Sequence, residues 1–155
     1  MGVMGLLTGA FVAGTDLGIK KYTEETLKDG DERRICKGKG IYRKVHNKGL
    51  MLNRLDSKPE VVKGLSVAAL GILFCWERLL QKEPGHRLAK FGTALMLGGA
   101  CGNTYDRLKR GYVVDYLAVK SKNKKLQDIT FNLSDLALFA GAILTIWNSL
   151  FGKGK

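Results

Sequence analysis

The chain has 155 residues, with 26 Lys and Arg against 14 Asp and Glu, a net charge of +12 and a mean hydropathy of −0.07. That length implies one domain, and three cysteines (Cys36, Cys75, Cys101) with only His46 and His86 and no CxxC pair argue against a disulfide framework and a zinc site. The positive surplus alone fits nucleic acid and anionic lipid headgroups equally well, so its distribution along the chain has to decide between them.

That distribution is segregated into four apolar stretches and two basic connections. The first apolar stretch, 1–19, is interrupted only by Asp16 and followed by Lys20. It lacks a basic leader, so it reads as a retained segment and not as a cleaved signal. Asp16 and Lys20 are four apart and can pair on one helix face. From 21 to about 63 the chain is polar, with turn signals in DGDERR and CKGKG. Short runs at 40–45 and 49–55 read as strands of a small sheet lying on the headgroups. In HNKGLM, Asn47 and Gly49 have turn chemistry.

The second apolar stretch, 61–80, has Trp76 near its end and Glu77 and Arg78 after it, where amphipathic side chains reach an interface. The short link KEPGHR makes it an antiparallel neighbour of the third stretch, 88–102. The third carries Gly92, Ala94, Gly98, Gly99, Ala100 and Gly102, which allow close helix approach. A second basic connection, 104–134, leads to the fourth stretch, 136–151, with Trp147 near its end. The four runs show little 3.6-residue amphipathic alternation, and their Gly and Ala content suits packing in lipid. The expected architecture is therefore an all-α integral membrane protein. One domain over 1–155 would hold four transmembrane helices at about 1–20, 61–80, 87–103 and 135–151, with a small β-cradle between helices 1 and 2. A soluble basic helical domain that binds nucleic acid is the competing reading.

Polar groups concentrate in GGACGNTYDRLKRGYVVD, 98–115, and FNLSD, 131–135. Asn103 with Arg107, Asp106 with Arg110, and Asn132 with Asp135 can each share a helix face. Gly102 is followed by Asn103 and not by Lys-Ser/Thr, so no phosphate loop forms, and no serine sits in a nucleophile elbow. The carboxylates remain. Asp106, Asp115 and Asp135 border apolar segments on one connection, and antiparallel helices would bring them to one membrane face. Two adjacent aspartates cannot both ionise cheaply, and such a pair supplies a general base and a general acid for amide hydrolysis. Helix capping is the plainer role for such residues, an N-cap in the case of Asp135.

The order GGxxGNxxDRxxxGxVVD, then FNxxD before the last apolar segment, resembles signal peptidase II, the prolipoprotein signal peptidase. The upstream Asp16-x-x-x-Lys20 and Asn47-x-Gly49 match its pattern too, so the resemblance covers most of the chain. It implies a membrane aspartyl endopeptidase of the bacterial cytoplasmic membrane, with its site on the extracytoplasmic side. Such an enzyme cuts prolipoproteins just before the diacylglyceryl-modified cysteine. It implies Asp115 and Asp135 as the catalytic pair, Asn47, Asn103, Arg107 and Asn132 as substrate-binding or supporting groups, and Asp16, Lys20 and Asp106 as structural. No metal, cofactor or nucleic acid is implied; membrane lipids and the inhibitor globomycin are. A non-catalytic lipopeptide-binding relative is the alternative within the same fold. Three features depart from the family pattern: Leu50-Met51-Leu52 after Gly49, a highly polar first connection, and a Lys/Arg bias that by the positive-inside tendency would put the dyad in the cytoplasm.

Overall fold

The computed structural model describes residues 2–50 and 55–152, with backbone only at 124 and 125. Helix α1 (Val3–Thr26) is followed by strands β1 (Glu32–Ile35) and β2 (Gly40–Asn47), then helices α2 (Pro59–Leu80) and α3 (Arg87–Arg110). Strand β3 (Val113–Val119), the short helix α4 (Lys124–Gln127), strand β4 (Thr130–Phe131) and helix α5 (Leu133–Phe151) complete the chain.

Helix α3 is the hub: α1, α2 and α5 all pack on it. Glycines permit the close approach. A Cβ on Gly98 would lie 2.6 Å from the Gly9 carbonyl of α1, and one on Gly99 would strike the Ser134 carbonyl of α5. Gly92 meets Gly141 of α5 in the same way. These pairings run α5 antiparallel and α1 parallel to α3. Thr104 Oγ1 donates to the Ser66 carbonyl at 3.4 Å and sets α2 antiparallel. One end of the bundle therefore collects the C-terminal ends of α1 and α3 and the N-terminal ends of α2 and α5. Trp76 and Trp147 sit towards the other end, both about half exposed.

The outer faces are apolar. Helix α2 buries only Val62, Ser66 and Glu77, while Leu65, Ile72, Phe74 and Leu79 point outward. An exposed apolar surface of this extent is incompatible with water and matches a lipid environment. Helices α1, α2 and α5 are each long and apolar enough to cross a membrane. Helix α3 carries Arg87, Lys90, Asp106, Arg107, Lys109 and Arg110 near its ends and is uncharged from 91 to 105.

Two expectations are corrected here. The protein is not all-α, and its sheet does not lie wholly between the first two long helices. All four strands form one antiparallel sheet in the order β1-β2-β3-β4, so half of it comes from the connection between α3 and α5. The reason is local: VVDYLAV is β-branched and aromatic, and Val113, Val114, Tyr116 and Ala118 are all buried. The expected run at 40–45 lies inside β2. Of the run at 49–55, residues 49 and 50 form a bend and 55–57 a turn; Met51 and Leu52 fall outside the described residues.

Candidate active site

Asp115 is delivered by the sheet. Val45 pairs with Asp115 and Asn47 with Val113, so Asn47 and Asp115 are diagonal neighbours on one face of β2 and β3. Asn47 Nδ2 donates to Asp115 Oδ2 at 3.0 Å. Its own Oδ1 accepts from Gly49 N–H at 3.1 Å, the turn expected of Asn-x-Gly. Gly111, in the left-handed region at φ 82, ends α3 and turns the chain into β3.

Asp135 is delivered by the start of α5. Asn132, not Asp135, is the N-cap, and Asp135 is the third residue of the helix. The two form a reciprocal capping box: Asp135 N–H donates to Asn132 Oδ1 at 2.9 Å, and Asn132 N–H to Asp135 Oδ2 at 3.2 Å. This cap engages Asp135 Oδ2 and leaves Oδ1 for a second donor. Asn132 also spans the two aspartates, since its Nδ2 donates to Asp115 Oδ1 at 2.6 Å. Asn103 Nδ2 of α3 donates to Asp135 Oδ1 at 2.8 Å. All four carboxylate oxygens therefore accept from an N–H. Asp115 and Asn132 are buried, and Asp135 is only partly so.

Beneath the aspartates lies a buried ionic layer. Lys20 Nζ meets Asp16 Oδ2 at 2.6 Å, Asp106 Oδ2 at 3.1 Å and Asn103 Oδ1 at 2.7 Å, which satisfies its three donors. Asp16, Lys20 and Asp106 are fully buried. The expected i,i+4 contact of Asp16 with Lys20 is present, but deep in the bundle. Arg110 pairs with Asp106 at 3.3 Å. Arg107 reaches the site indirectly: its Nη2 donates to the Gly49 carbonyl at 3.1 Å and steadies the Asn47 turn.

A profile of Signal peptidase (SPase) II matches residues 8–151. The chain belongs to the signal peptidase II family. It is 38% identical over 111 residues to the lipoprotein signal peptidase of Moorella thermoacetica, a match covering 72% of this chain and 69% of that protein. To the enzyme of Lactobacillus gasseri it is 29% identical over 153 residues, 99% and 96% of the two chains. A solved bacterial membrane enzyme, determined by the in meso method at 2.3 Å resolution, shares the fold with a TM-score of 0.82 at 24% identity, over 95% of this chain and 87% of that one.

Within this signal peptidase II chain, the sequence reading missed two groups. Tyr116 OH donates to Asp16 Oδ1 at 2.9 Å and accepts from Leu133 N–H at 3.0 Å. Ser134 Oγ donates to Asp16 Oδ2 at 2.6 Å. Together they bolt β3 and the start of α5 to α1. Each neighbours an aspartate of the pair, and strand alternation turns Tyr116 to the face opposite Asp115. That alternation was the available signal. Electrostatically, burial first and the charge of Asp135 second push the Asp115 carboxyl up to about 7, against the pull of the Asn47 and Asn132 donors and Lys20. Among the described residues no group of three or more His, Cys, Asp and Glu side chains could hold a metal.

Proposed function

We propose that the protein is an aspartyl endopeptidase that removes signal peptides from bacterial prolipoproteins by cutting the peptide bond before the diacylglyceryl-modified cysteine. Asp115 and Asp135 are the catalytic pair. The observation that carries this reading is their joint placement at one end of the bundle, linked by Asn132 and each held by amide donors.

The division of labour follows from the two environments. Asp135 lies in the first turn of α5, where the backbone dipole stabilises negative charge, and it is the more open of the two. Asp115 lies buried on a strand with no such dipole. Charge balance sets how many protons the pair holds. Four carboxylates (Asp16, Asp106, Asp115, Asp135) share the region with three cations (Lys20, Arg107, Arg110), and one proton on the pair neutralises the excess. Asp135 accordingly takes a proton from water, whose oxygen attacks the scissile carbonyl carbon, while Asp115 gives its proton to the carbonyl oxygen. The tetrahedral intermediate collapses as Asp135 returns its proton to the departing amine of cysteine and Asp115 recovers one from the hydroxyl. A substrate held by two acyl chains brings its scissile bond to a fixed depth, which supplies the positioning. Asn47, Asn103 and Asn132 orient the carboxylates, and Arg107 holds the turn that carries Asn47.

The chain forms a single membrane domain with four spans, α1, α2, α3 and α5. Helix α3 crosses because the other three shield it and its charges lie near its ends. The membrane is the bacterial cytoplasmic membrane, and the pair faces outward with the sheet, against the Lys/Arg bias. Globomycin occupies the same site as the lipopeptide. The test is cleavage of a diacylglyceryl-modified prolipoprotein by the purified enzyme in detergent, with and without globomycin. Turnover that persists in Asp115→Asn or Asp135→Asn overturns the assignment of the pair. A wild-type protein that binds the lipopeptide and cuts nothing marks a binding relative instead.

A further inference from the structure

One feature of the sheet lies outside the active site. Where β2 begins and β3 ends, a shallow cleft of about 450 Å³ is lined by Gly38, Lys39, Val119, Lys120, Ser121 and Lys122. A second of about 370 Å³ abuts it, sharing Val119, Lys120 and Ser121 and adding Leu126, Ile129 and Phe131. The first is cationic and the second apolar. Lys120 N–H donates to the Lys39 carbonyl at 2.9 Å, so two lysines are fixed side by side on adjoining segments. Like charges so placed repel unless an anion lies between them. Among the described residues neither these two lysines nor Lys122 has an ion pair, and no acidic side chain lines either cleft. Val119 and Leu126 remain exposed.

Ala118 pairs with Thr130, so Val119 stands level with Ile129, four residues before α5 enters its span at Leu133. At ~3.3 Å per residue Ile129 lies at most about 13 Å from that entry and Phe131 at most about 7 Å, with the lysines just beyond Val119. They therefore sit beside the headgroup layer, with the apolar cleft nearer the helix.

We propose that these paired clefts form a binding site for an anionic phospholipid, the phosphate lying between Lys39, Lys120 and Lys122 and the glycerol and upper acyl chain against Val119, Leu126 and Phe131. Such a lipid anchors the far end of the sheet, while the near end carries Asn47 and Asp115. The site uses none of the catalytic groups. It rests on α5 being a span, and its test involves no cleavage.

The experiment is lipid retention by native mass spectrometry of the full-length protein in detergent, offered equal phosphatidylglycerol and phosphatidylcholine. Wild type retains phosphatidylglycerol at least about fivefold over phosphatidylcholine, and raised salt weakens the preference. The triple variant Lys39→Gln, Lys120→Gln, Lys122→Gln falls below about twofold. A charge-matched control, Lys28→Gln, Arg34→Gln, Lys109→Gln, removes three exposed cations outside the clefts and keeps the preference. No preference in wild type, or equal loss in both triple variants, overturns the site. Displacement of the lipid by millimolar glycerol 3-phosphate overturns the apolar half of it. Circular dichroism of the variants separates loss of the site from loss of fold.

Discussion

The buried carboxyl of Asp115 makes the protein less stable as pH rises, and Asp115→Asn removes that dependence. An aspartate has an unfolded pKa of 3.8, and in the fold burial and the charge of Asp135 push it up to about 7. A folded pKa above the unfolded one means that the native state binds more protons between those values, so stability falls with rising pH across that window. At pH 8 the full displacement applies, on the order of 4 kcal/mol at 1.36 kcal/mol per unit. At pH 5 only the part between 3.8 and 5 applies, less than half of that. The wild type is therefore expected to lose about 2–3 kcal/mol between pH 5 and pH 8 from this one group. The asparagine variant has no charge to bury. It places an amide against the donors of Asn47 or Asn132, at a cost of about 1–3 kcal/mol, but that cost is independent of pH. Slopes and not absolute stabilities carry the comparison. The assay is unfolding in detergent followed by the fluorescence of Trp76 and Trp147 at several pH values. Equal slopes in wild type and variant refute the reasoning, because the pH dependence then belongs to other groups.

The remaining expectations concern the supports. Asn47→Ala removes a donor that favours the ionised form of Asp115, so the alkaline limb of kcat/KM moves to higher pH by about one unit; a pH–rate profile reads it, and a shift to lower pH contradicts the role given to Asn47. Lys20→Met leaves Asp16 and Asp106 buried without their shared cation and costs about 3–5 kcal/mol, measured as lost stability in the same unfolding assay. Gly99→Val drives a side chain into the Ser134 carbonyl and displaces the start of α5, with loss of both activity and stability, whereas the exposed Gly64→Ala on α2, with nothing near its Cβ position, changes neither by more than about 0.5 kcal/mol. Tyr116→Phe keeps the ring and removes the hydroxyl linking Asp16 to Leu133; a loss of about 1–3 kcal/mol is expected by thermal unfolding.

Much of this protein was legible in its sequence because the informative signals are local. Segregated apolar runs mark α1, α2 and α5, whose helices are each long and apolar enough to cross a bilayer. The i,i+4 spacing of Asp16 and Lys20 fixes their contact, since helix geometry alone brings them together. Asn132 and Asp135 stand at the spacing of a capping box, and their order before an apolar run sets the start of α5. Placement left Asp106, Asp115 and Asp135 together on one connection, and the motif resemblance singled out Asp115 and Asp135 among them.

What tertiary structure decided is everything that depends on distant chain segments meeting. No spacing announces that β3 pairs with β2, because strand pairing joins residues about seventy apart and its register is set by which face is buried. That register is what carries Asn47 to Asp115. Lys20 could have been an ordinary cation at a helix end; the fold instead buries it between Asp16, Asp106 and Asn103. Tyr116 and Ser134 gained their roles only when α1 brought Asp16 beneath them. The sequence by itself determined which residues could do the chemistry, through their types and their order along helices and strands. The close packing of α1 and α5 on the glycines of α3 decided where those residues stand, because only there can three chain segments share one buried set of charges.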